Sequence, residues 1–336
     1  MTIQTILLTD SDLPDTTVER VLNAGGHRAV RAPSGSAADM IGAGRNASAL
    51  VVQWAPITAE VLDALPNLRF ISRLGIGYDM IDVDAATARG VAVANTPSYC
   101  IEEVASHTVA MIMALSRGLV GYDRAVRSGE WSAVAARPMA VRPSTTTVSV
   151  VGFGRIGSMV ARSCAALGFT VLVADPFLTT ETIRAAGFEP VSREEAVSRA
   201  DILTLHVPLT RATRHMLDAA ALASMQQGSI VINTCRGPLI DEDALAASLR
   251  AGHTGAAGLD VFETEPLAEN SSLRRLDGVL LTPHAAWYSP ESLLDLPAHA
   301  ATNVVDFLAG RPVSSIVNPA YRKNLIVELS VTSQDM

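Results

Sequence analysis

The sequence predicts an α/β protein built from two doubly wound parallel-sheet domains. Three observations predict it. Short apolar, β-branched runs alternate with helical segments from residue 3 onward. The alternation breaks off after Pro97 for a long helical run and resumes at Thr147. The resumed series opens on a glycine triplet between a strand and a helix. Alternation of this kind implies parallel strands covered by helices.

In chain order, IQTILLTD (3–10) reads as a strand and a helical pattern follows Pro14. SALVVQW (48–54) is a second buried strand, and TAEVLDAL (58–65) is a short helix with Thr58 at its N-cap. LRFISRLG (68–75) and VAVAN (91–95) complete the first series. Pro97 and Ser98 precede a helical run from about Ile101 to Ser128, with Val104, Thr108, Met111, Ile112 and Leu115 at helical spacing. Its middle reads as apolar all round, which predicts deep burial. The stretch 129–146, with Pro138 and Pro143, is irregular, and neither it nor Tyr99-Cys100 is assigned a role.

Six candidate strands follow: TVSVVGFG, TVLVADP, ADILTLHVP, GSIVINT, TGAAGLD and GVLLTPH. Six is the number a dinucleotide-binding domain needs. The last helix, about Glu291 to Leu308, has no strand after it and is expected to pack back on the first domain. The expected division is residues 1–98 plus 286–336 for one domain and 99–285 for the other.

Composition narrows the function classes. A chain of 336 residues accommodates two domains, and 49% hydrophobic with 18% charged residues is a globular balance. The net charge of −8 disfavours a general nucleic-acid binder, which needs clustered cations. No apolar run approaches the length of a membrane span; the longest resemble Val109 to Leu115. No basic region precedes the first apolar stretch, so no signal peptide is expected. Cys100, Cys164 and Cys235 are odd in number and lack metal or redox spacing, which points to a reducing, cytoplasmic setting without a metal site. Lys323 is the only lysine, so Schiff-base chemistry has no good candidate.

Gly152, Gly154 and Gly157 fit G-x-G-x-x-G. The triplet follows an apolar strand and opens a helix containing Met159, Val160 and Leu167, the context its mechanism requires. The first glycine permits the tight turn, the second lets backbone approach a pyrophosphate, and the third lets helix pack on strand. Amides near Arg155 and Ile156 then face phosphate with the helix dipole behind them. The next strand ends at Asp175, whose carboxylate suits two ribose hydroxyls and repels a 2′-phosphate. Pro176, Phe177 and Leu178 supply no cation, so NAD rather than NADP is expected. The domain reads as a Rossmann fold.

Three residues sit at the C-terminal ends of strands in this domain, the edge where open α/β sheets bind ligands. Arg236 follows INTC, Glu265 follows GLDVFET and His284 follows LLTP. An arginine holds a carboxylate through paired hydrogen bonds. A histidine exchanges a proton near neutral pH, and a glutamate beside it favours the imidazolium. Singly, each admits a plainer reading: a surface arginine, a loop charge before Pro266, a satisfied loop histidine. Together they are the parts needed to move a hydride to or from a 2-oxo acid.

With these residues in view, the chain resembles the D-isomer-specific 2-hydroxyacid dehydrogenases over nearly its whole length. The resemblance is carried by Arg73-Leu-Gly-Ile-Gly-Tyr-Asp79, the Asn95-Thr-Pro97 crossover, the fingerprint with Asp175, and His206-Val-Pro208. It continues through Asn233-Thr-Cys-Arg-Gly237, Gly258-Leu-Asp-Val-Phe-Glu-Thr-Glu-Pro266 and Thr282-Pro-His-Ala285. Pro283-His-Ala-Ala-Trp-Tyr-Ser289 is similar to the branch of the C-terminal-binding proteins, and the phosphoglycerate dehydrogenases are close in pattern.

The resemblance implies a flavodoxin-like substrate domain and a Rossmann NAD domain with the cleft between them. It implies Arg236 on the substrate carboxylate, His284 as acid or base, and Glu265 as its partner. Asp260 and the Cys235 carbonyl would take the nicotinamide carboxamide. Thr108, His206, Val207, Pro208, Thr213, Thr234 and Ala286 would complete the cofactor site. Arg73, Gly75, Ile76 and Gly77 would bind substrate, with Arg73 a candidate for a second anion and Arg137 or Arg142 as alternatives. A homodimer built on the 101–128 helical run is implied as well. Formate dehydrogenases of the superfamily carry glutamine where Glu265 stands, which argues against that activity. Ser149 and Cys235 replace the family's usual glycine and alanine. A thiolate role for Cys235 is not needed for hydride transfer. The alternative class is an NAD(H)-sensing corepressor, which keeps the same residues; this chain shows no low-complexity arm for partners.

Overall fold

Residues 3–134 and 140–324 are described by the structure, a computed structural model. The chain divides into two compact units, Met1–Cys100 with Ser289–Met336, and Ile101–Tyr288.

The first unit runs β1 (Thr5–Leu8), α1 (Thr17–Ala24), β2 (Arg28–Arg31), α2 (Ala37–Gly44), β3 (Ala47–Val52), α3 (Ala59–Asp63), β4 (Phe70–Arg73), α4 (Val83–Ala88) and β5 (Ala92–Ala94). The strands pair in parallel in the order β2-β1-β3-β4-β5, a flavodoxin-like winding. Every residue of β3 is buried, as a central parallel strand covered on both faces requires. Thr58 caps α3 by accepting the Val61 N–H.

β2 and α2 escape the sequence reading for physical reasons. RAVR is an edge strand without an apolar run. AADMIGAG carries two glycines, each a poor helix former, and starts only because Ser36 accepts the Asp39 N–H. The last helix packs on the first unit as expected, against its first helix and central strands. Phe307 stacks on Phe70 at 4.3 Å between centroids, and the Ser72 hydroxyl donates to the Ala300 carbonyl at 2.8 Å.

The second unit begins with α5 (Ile101–Ser116) and α6 (Leu119–Arg127). The single run expected from Ile101 to Ser128 is therefore two helices, bent by 60° where Gly118 takes a left-handed φ of 65°. The middle of α5 is one-sided, not apolar all round. Val104, Ala105, Thr108, Met111, Ile112 and Leu115 are buried, while Ser106 and Ala110 are exposed. Among the described residues, no single helix is long and apolar enough to cross a membrane.

There follow β6 (Thr147–Val151), α7 (Arg155–Ala166), β7 (Thr170–Ala174), α8 (Thr180–Ala185), β8 (Glu189–Pro190), α9 (Arg193–Ser198) and β9 (Ile202–Leu205). Then come α10 (Ala219–Ser224), β10 (Ser229–Asn233), α11 (Glu242–Arg250), β11 (Thr254–Leu259) and β12 (Val279–Leu281), before α12 (Pro290–Leu308) returns to the first unit. The sheet order is β12-β11-β10-β9-β6-β7-β8, all parallel. Numbered within the unit, that is the Rossmann order 3-2-1-4-5-6 with a seventh strand added. That added strand is β12, and the described residues of this unit hold seven strands where the sequence predicts six; the one not predicted is β8. β8 is a two-residue edge containing Pro190, and so short a segment leaves no apolar signature. Two apolar layers cover the sheet's faces, one around Leu203, Leu222 and Leu245, the other around Ile112, Val160 and Phe169. Each such side chain fully buried contributes about 1.5–3 kcal/mol.

Candidate active site

The strand order reverses between β6 and β9, and the loops after these two strands meet there. Gly152 ends β6 at a φ of 96°, and a Cβ on it would run into the His206 carbonyl of the neighbouring loop. Gly157 lies against the Gly152 carbonyl, while the space beside Gly154 is open. Gly154 is the N-cap of α7 and no side chain caps this helix. A helix start with a glycine cap and open space beside it lets a phosphate approach its first-turn amides. Asp175 closes β7, with its oxygens accepting the Phe153 and Phe177 N–H groups at 2.8 and 2.9 Å. A carboxylate has about four acceptor sites, so capacity remains for two ribose hydroxyls. These residues fit a dinucleotide.

His206 is half-buried beside the Thr204 hydroxyl at 3.0 Å, and desolvation pushes its pKa down to about 4, which favours the neutral ring. Val207 is buried behind it. Thr213 donates to the Pro208 carbonyl at 2.7 Å and closes the loop after β9. The Cys235 thiol donates to the Val207 carbonyl at 2.8 Å and ties the loops after β9 and β10 together.

The three expected catalytic residues come together on the loops after β10, β11 and β12. His284 Nδ1 and Glu265 Oε2 lie 2.7 Å apart. Burial raises the Glu265 carboxyl, but the hydrogen bond and charge of His284, the Phe262 amide and the charge of Arg236 together hold it below its ordinary value. The pair is therefore a carboxylate bonded to an imidazole N–H. The Arg236 guanidinium donates to the Cys235 carbonyl at 2.7 Å. His284 has a left-handed φ of 52°, uncommon for a residue with a side chain.

Asp260 braces that backbone. Its carboxylate, 1% exposed, accepts the Thr282 hydroxyl at 2.5 Å and the Ala285 and Ala286 amides at 2.8 and 3.0 Å. Its own carbonyl accepts the His284 N–H at 2.8 Å. Thr108 and Thr234 share a buried hydroxyl–hydroxyl bond of 2.8 Å.

Arg73, Gly75, Ile76 and Gly77 lie in the first unit, at the end of β4. Arg73 is 3% exposed, buried at the end of its strand. Its guanidinium lies 5.3 Å from the Trp54 ring centroid and packs beside Gly75. Asn95 donates to the Ile76 carbonyl at 2.8 Å, and Thr96 accepts the Gly75 N–H at 2.7 Å. Arg137 lies outside the described residues. Arg142 precedes a turn of 3₁₀ helix and its carbonyl accepts the Thr146 hydroxyl.

Several residues with a part in the site were not singled out by sequence. The Asn233 side chain donates to the Arg236 carbonyl and accepts the Cys235 N–H, which fixes the turn carrying Arg236. Thr282 and Asn95-Thr96 stood inside quoted motifs without a role. His107, one residue before Thr108, reaches the Thr282 hydroxyl with Nε2 at 3.1 Å. Its only sequence signal is a histidine beside Thr108 in a helical run.

A phosphate-accepting turn at the switch point of a parallel sheet, with a carboxylate–imidazole pair and an arginine on the same edge, defines a class: dehydrogenases that use a nicotinamide dinucleotide. Residues 109–286 match the family model described as D-isomer specific 2-hydroxyacid dehydrogenase, NAD binding domain. The chain is 39% identical over 266 residues to a glyoxylate reductase of Korarchaeum cryptofilum, covering 78% of this chain and 80% of that one. It is 38% identical over 320 residues to a D-3-phosphoglycerate dehydrogenase of Mycobacterium bovis, covering 95% of this chain but 59% of that longer protein. Among solved structures, D-lactate dehydrogenase of Aquifex aeolicus, complexed with NAD and lactic acid, has a TM-score of 0.82 at 28% identity. That match covers 94% of this chain and 99% of the other. An NADPH-dependent glyoxylate/hydroxypyruvate reductase of Sinorhizobium meliloti, with NADP and malonate, has a TM-score of 0.84 at 28% identity and covers 95% and 98%. The chain belongs to the D-isomer-specific 2-hydroxyacid dehydrogenase family, a family of oxidoreductases whose cofactor is NAD or, in some members, NADP.

Proposed function

We propose that the protein interconverts a small 2-oxo acid and the corresponding D-2-hydroxy acid, with NAD(H) preferred over NADP(H). The observation that carries this reading is the 2.7 Å His284–Glu265 pair set beside Arg236 at the sheet edge. The nicotinamide, when bound, supplies or takes the hydride at C2 of the substrate. Arg236 holds the substrate carboxylate with its guanidinium. In reduction the His284 imidazolium gives its proton to the carbonyl oxygen, and in oxidation the neutral ring takes the hydroxyl proton. Glu265 keeps the ring oriented and balances its charge. The Gly152–Gly157 turn holds the pyrophosphate, and Asp175 holds the ribose hydroxyls. Arg73 and the Gly75–Gly77 loop add donors for the acid.

The test is NADH oxidation with a panel of glyoxylate, hydroxypyruvate, pyruvate and 3-phosphohydroxypyruvate, in wild type and His284→Ala. Turnover of at least one acid is expected, falling about 10²–10⁴-fold in the variant while NADH binding is kept. Near wild-type turnover in His284→Ala would refute the assignment. With NADPH in place of NADH, kcat/KM is expected to drop; equal values would remove Asp175 as the determinant.

A further inference from the structure

Adjacent residues on α5 brace two of the loops just described. Thr108 bonds to Thr234, beside Arg236, and His107 bonds to Thr282, beside His284. We propose that His107 is a positioning residue for the acid–base histidine, acting through Thr282 and Asp260. This rests on the reading of His284 as the proton carrier.

The direction of each bond can be worked out. The Thr282 hydroxyl has one hydrogen, and the Asp260 carboxylate 2.5 Å away can only accept it. Thr282 must therefore accept from His107, so His107 carries hydrogen on Nε2. It is either the Nε2–H tautomer or the imidazolium, and the bond exists in both. The same nitrogen is 3.9 Å from the Asp260 carboxylate, whose side chain is 1% exposed. The relay then reads His107 N–H to Thr282, Thr282 O–H to Asp260, and Ala285 and Ala286 N–H to the other acceptor positions of Asp260.

The relay has a task because His284 needs bracing. A left-handed conformation is costly for a residue with a Cβ and persists only where surroundings over-determine it. Asp260 supplies that determination from both sides of His284: its carbonyl holds the His284 N–H, and its carboxylate holds the next two amides. Thr282 orients the carboxylate, and His107 fixes the Thr282 hydroxyl in the rotamer that donates to it. Without the imidazole donor, that hydroxyl is held at one end only, and the Nε2 face of His284 is no longer set in one position.

Four variants test this: His107→Phe, His107→Gln, Thr282→Val and the double variant His107→Phe/Thr282→Val. Glutamine places an N–H donor near the position of Nε2, and phenylalanine keeps the ring without a donor. For the best 2-oxo acid of the panel with NADH, His107→Phe is expected to lower kcat about three- to tenfold, the worth of one hydrogen bond. KM for the acid should stay within about twofold, and His107→Gln should recover most of kcat. The double variant should be no slower than Thr282→Val, because both substitutions cut one relay.

A second readout needs neither cofactor nor substrate: ¹⁵N imidazole spectra of the protein alone should show His107 with hydrogen on Nε2. Multiplicative losses in the double variant, no rescue by glutamine, or an Nδ1–H-only tautomer would each overturn the proposal. His284→Asn is run alongside. Its loss of turnover together with multiplicative losses at 107 and 282 overturns the positioning role alone. Turnover surviving in His284→Asn overturns the functional reading beneath it.

Discussion

At the scale of single residues, the charge state of Glu265 decides how the pair behaves with pH. Its carboxyl is held below the ordinary 4.5, burial working upward and His284, Phe262 N–H and Arg236 working downward. A carboxyl depressed in the native state stabilises the fold above its unfolded value, and this is lost as pH falls through the depressed value. Glu265→Gln is therefore expected to have a lower Tm than wild type near neutral pH, with the gap closing as pH falls below 4.5. Thermal scans across pH check this; a gap independent of pH would mean that glutamine disturbs packing, not charge.

Arg73 makes a second residue-scale case. A guanidinium stacked on Trp54 and almost wholly removed from water makes strong charge-assisted bonds to an anion. Arg73→Ala is expected to raise KM for the 2-oxo acid about tenfold or more, with KM for NADH within about twofold. If a phosphate on the substrate is what Arg73 holds, the wild-type preference for 3-phosphohydroxypyruvate over hydroxypyruvate should shrink in the variant. A preserved preference would move the second anion to Arg137 or Arg142.

At the scale of elements, the loops that carry chemistry are fitted to one another backbone to backbone. Gly237 follows Arg236, and a Cβ there would fall inside the backbone of Phe262 and Glu263, on the loop that carries Glu265. Gly237→Ala must therefore part the two loops. We expect a loss of about 1–3 kcal/mol in stability and a fall in kcat larger than any change in NADH affinity, because the fingerprint turn is not touched. Denaturant titration and steady-state kinetics read the two effects.

His206, half-buried under that turn, gives a further expectation at this scale. With its pKa lowered to about 4, the native state resists a proton that the unfolded chain takes up near 6.5. Its contribution is complete above pH 6.5 and shrinks as pH falls toward 4. His206→Asn should flatten the loss of wild-type stability over that interval, as seen in denaturant midpoints; an unchanged slope would assign the loss elsewhere.

What could be read from sequence follows from how each feature is encoded. Strands such as Ala47–Val52 and Ser229–Asn233 are wholly buried and announce themselves as apolar runs. The edge strands Arg28–Arg31 and Glu189–Pro190 bury little, and the break at Gly118 looks like any glycine within a helical pattern. In the same way, Arg236, Glu265 and His284 were legible because strand ends concentrate chemistry. His107 and Thr282 lie 175 residues apart, and only the fold shows that they share a bond.

At the scale of the molecule, the remaining question is what covers its exposed apolar surface. The apolar side of α5 is spent within its own unit, on the core shared with α7, β10 and β11. The surplus lies further along, on α6 and the segment after it. Leu119 and Val126 are 55% and 54% exposed, and Trp131 and Val134 are each 88% exposed. Leu119 and Val126 are seven residues apart and share one face of α6. Large apolar side chains gathered on one stretch mark an association surface more often than a solvated one. We expect a homodimer through this surface, so that light scattering at micromolar concentration gives twice the 35.3 kDa chain mass. Val126→Asp with Trp131→Asp should yield a monomer that keeps the wild-type circular dichroism, since neither side chain belongs to a core cluster. A wild-type protein that scatters as a monomer, or a double variant that remains dimeric, would place the association surface elsewhere or remove it.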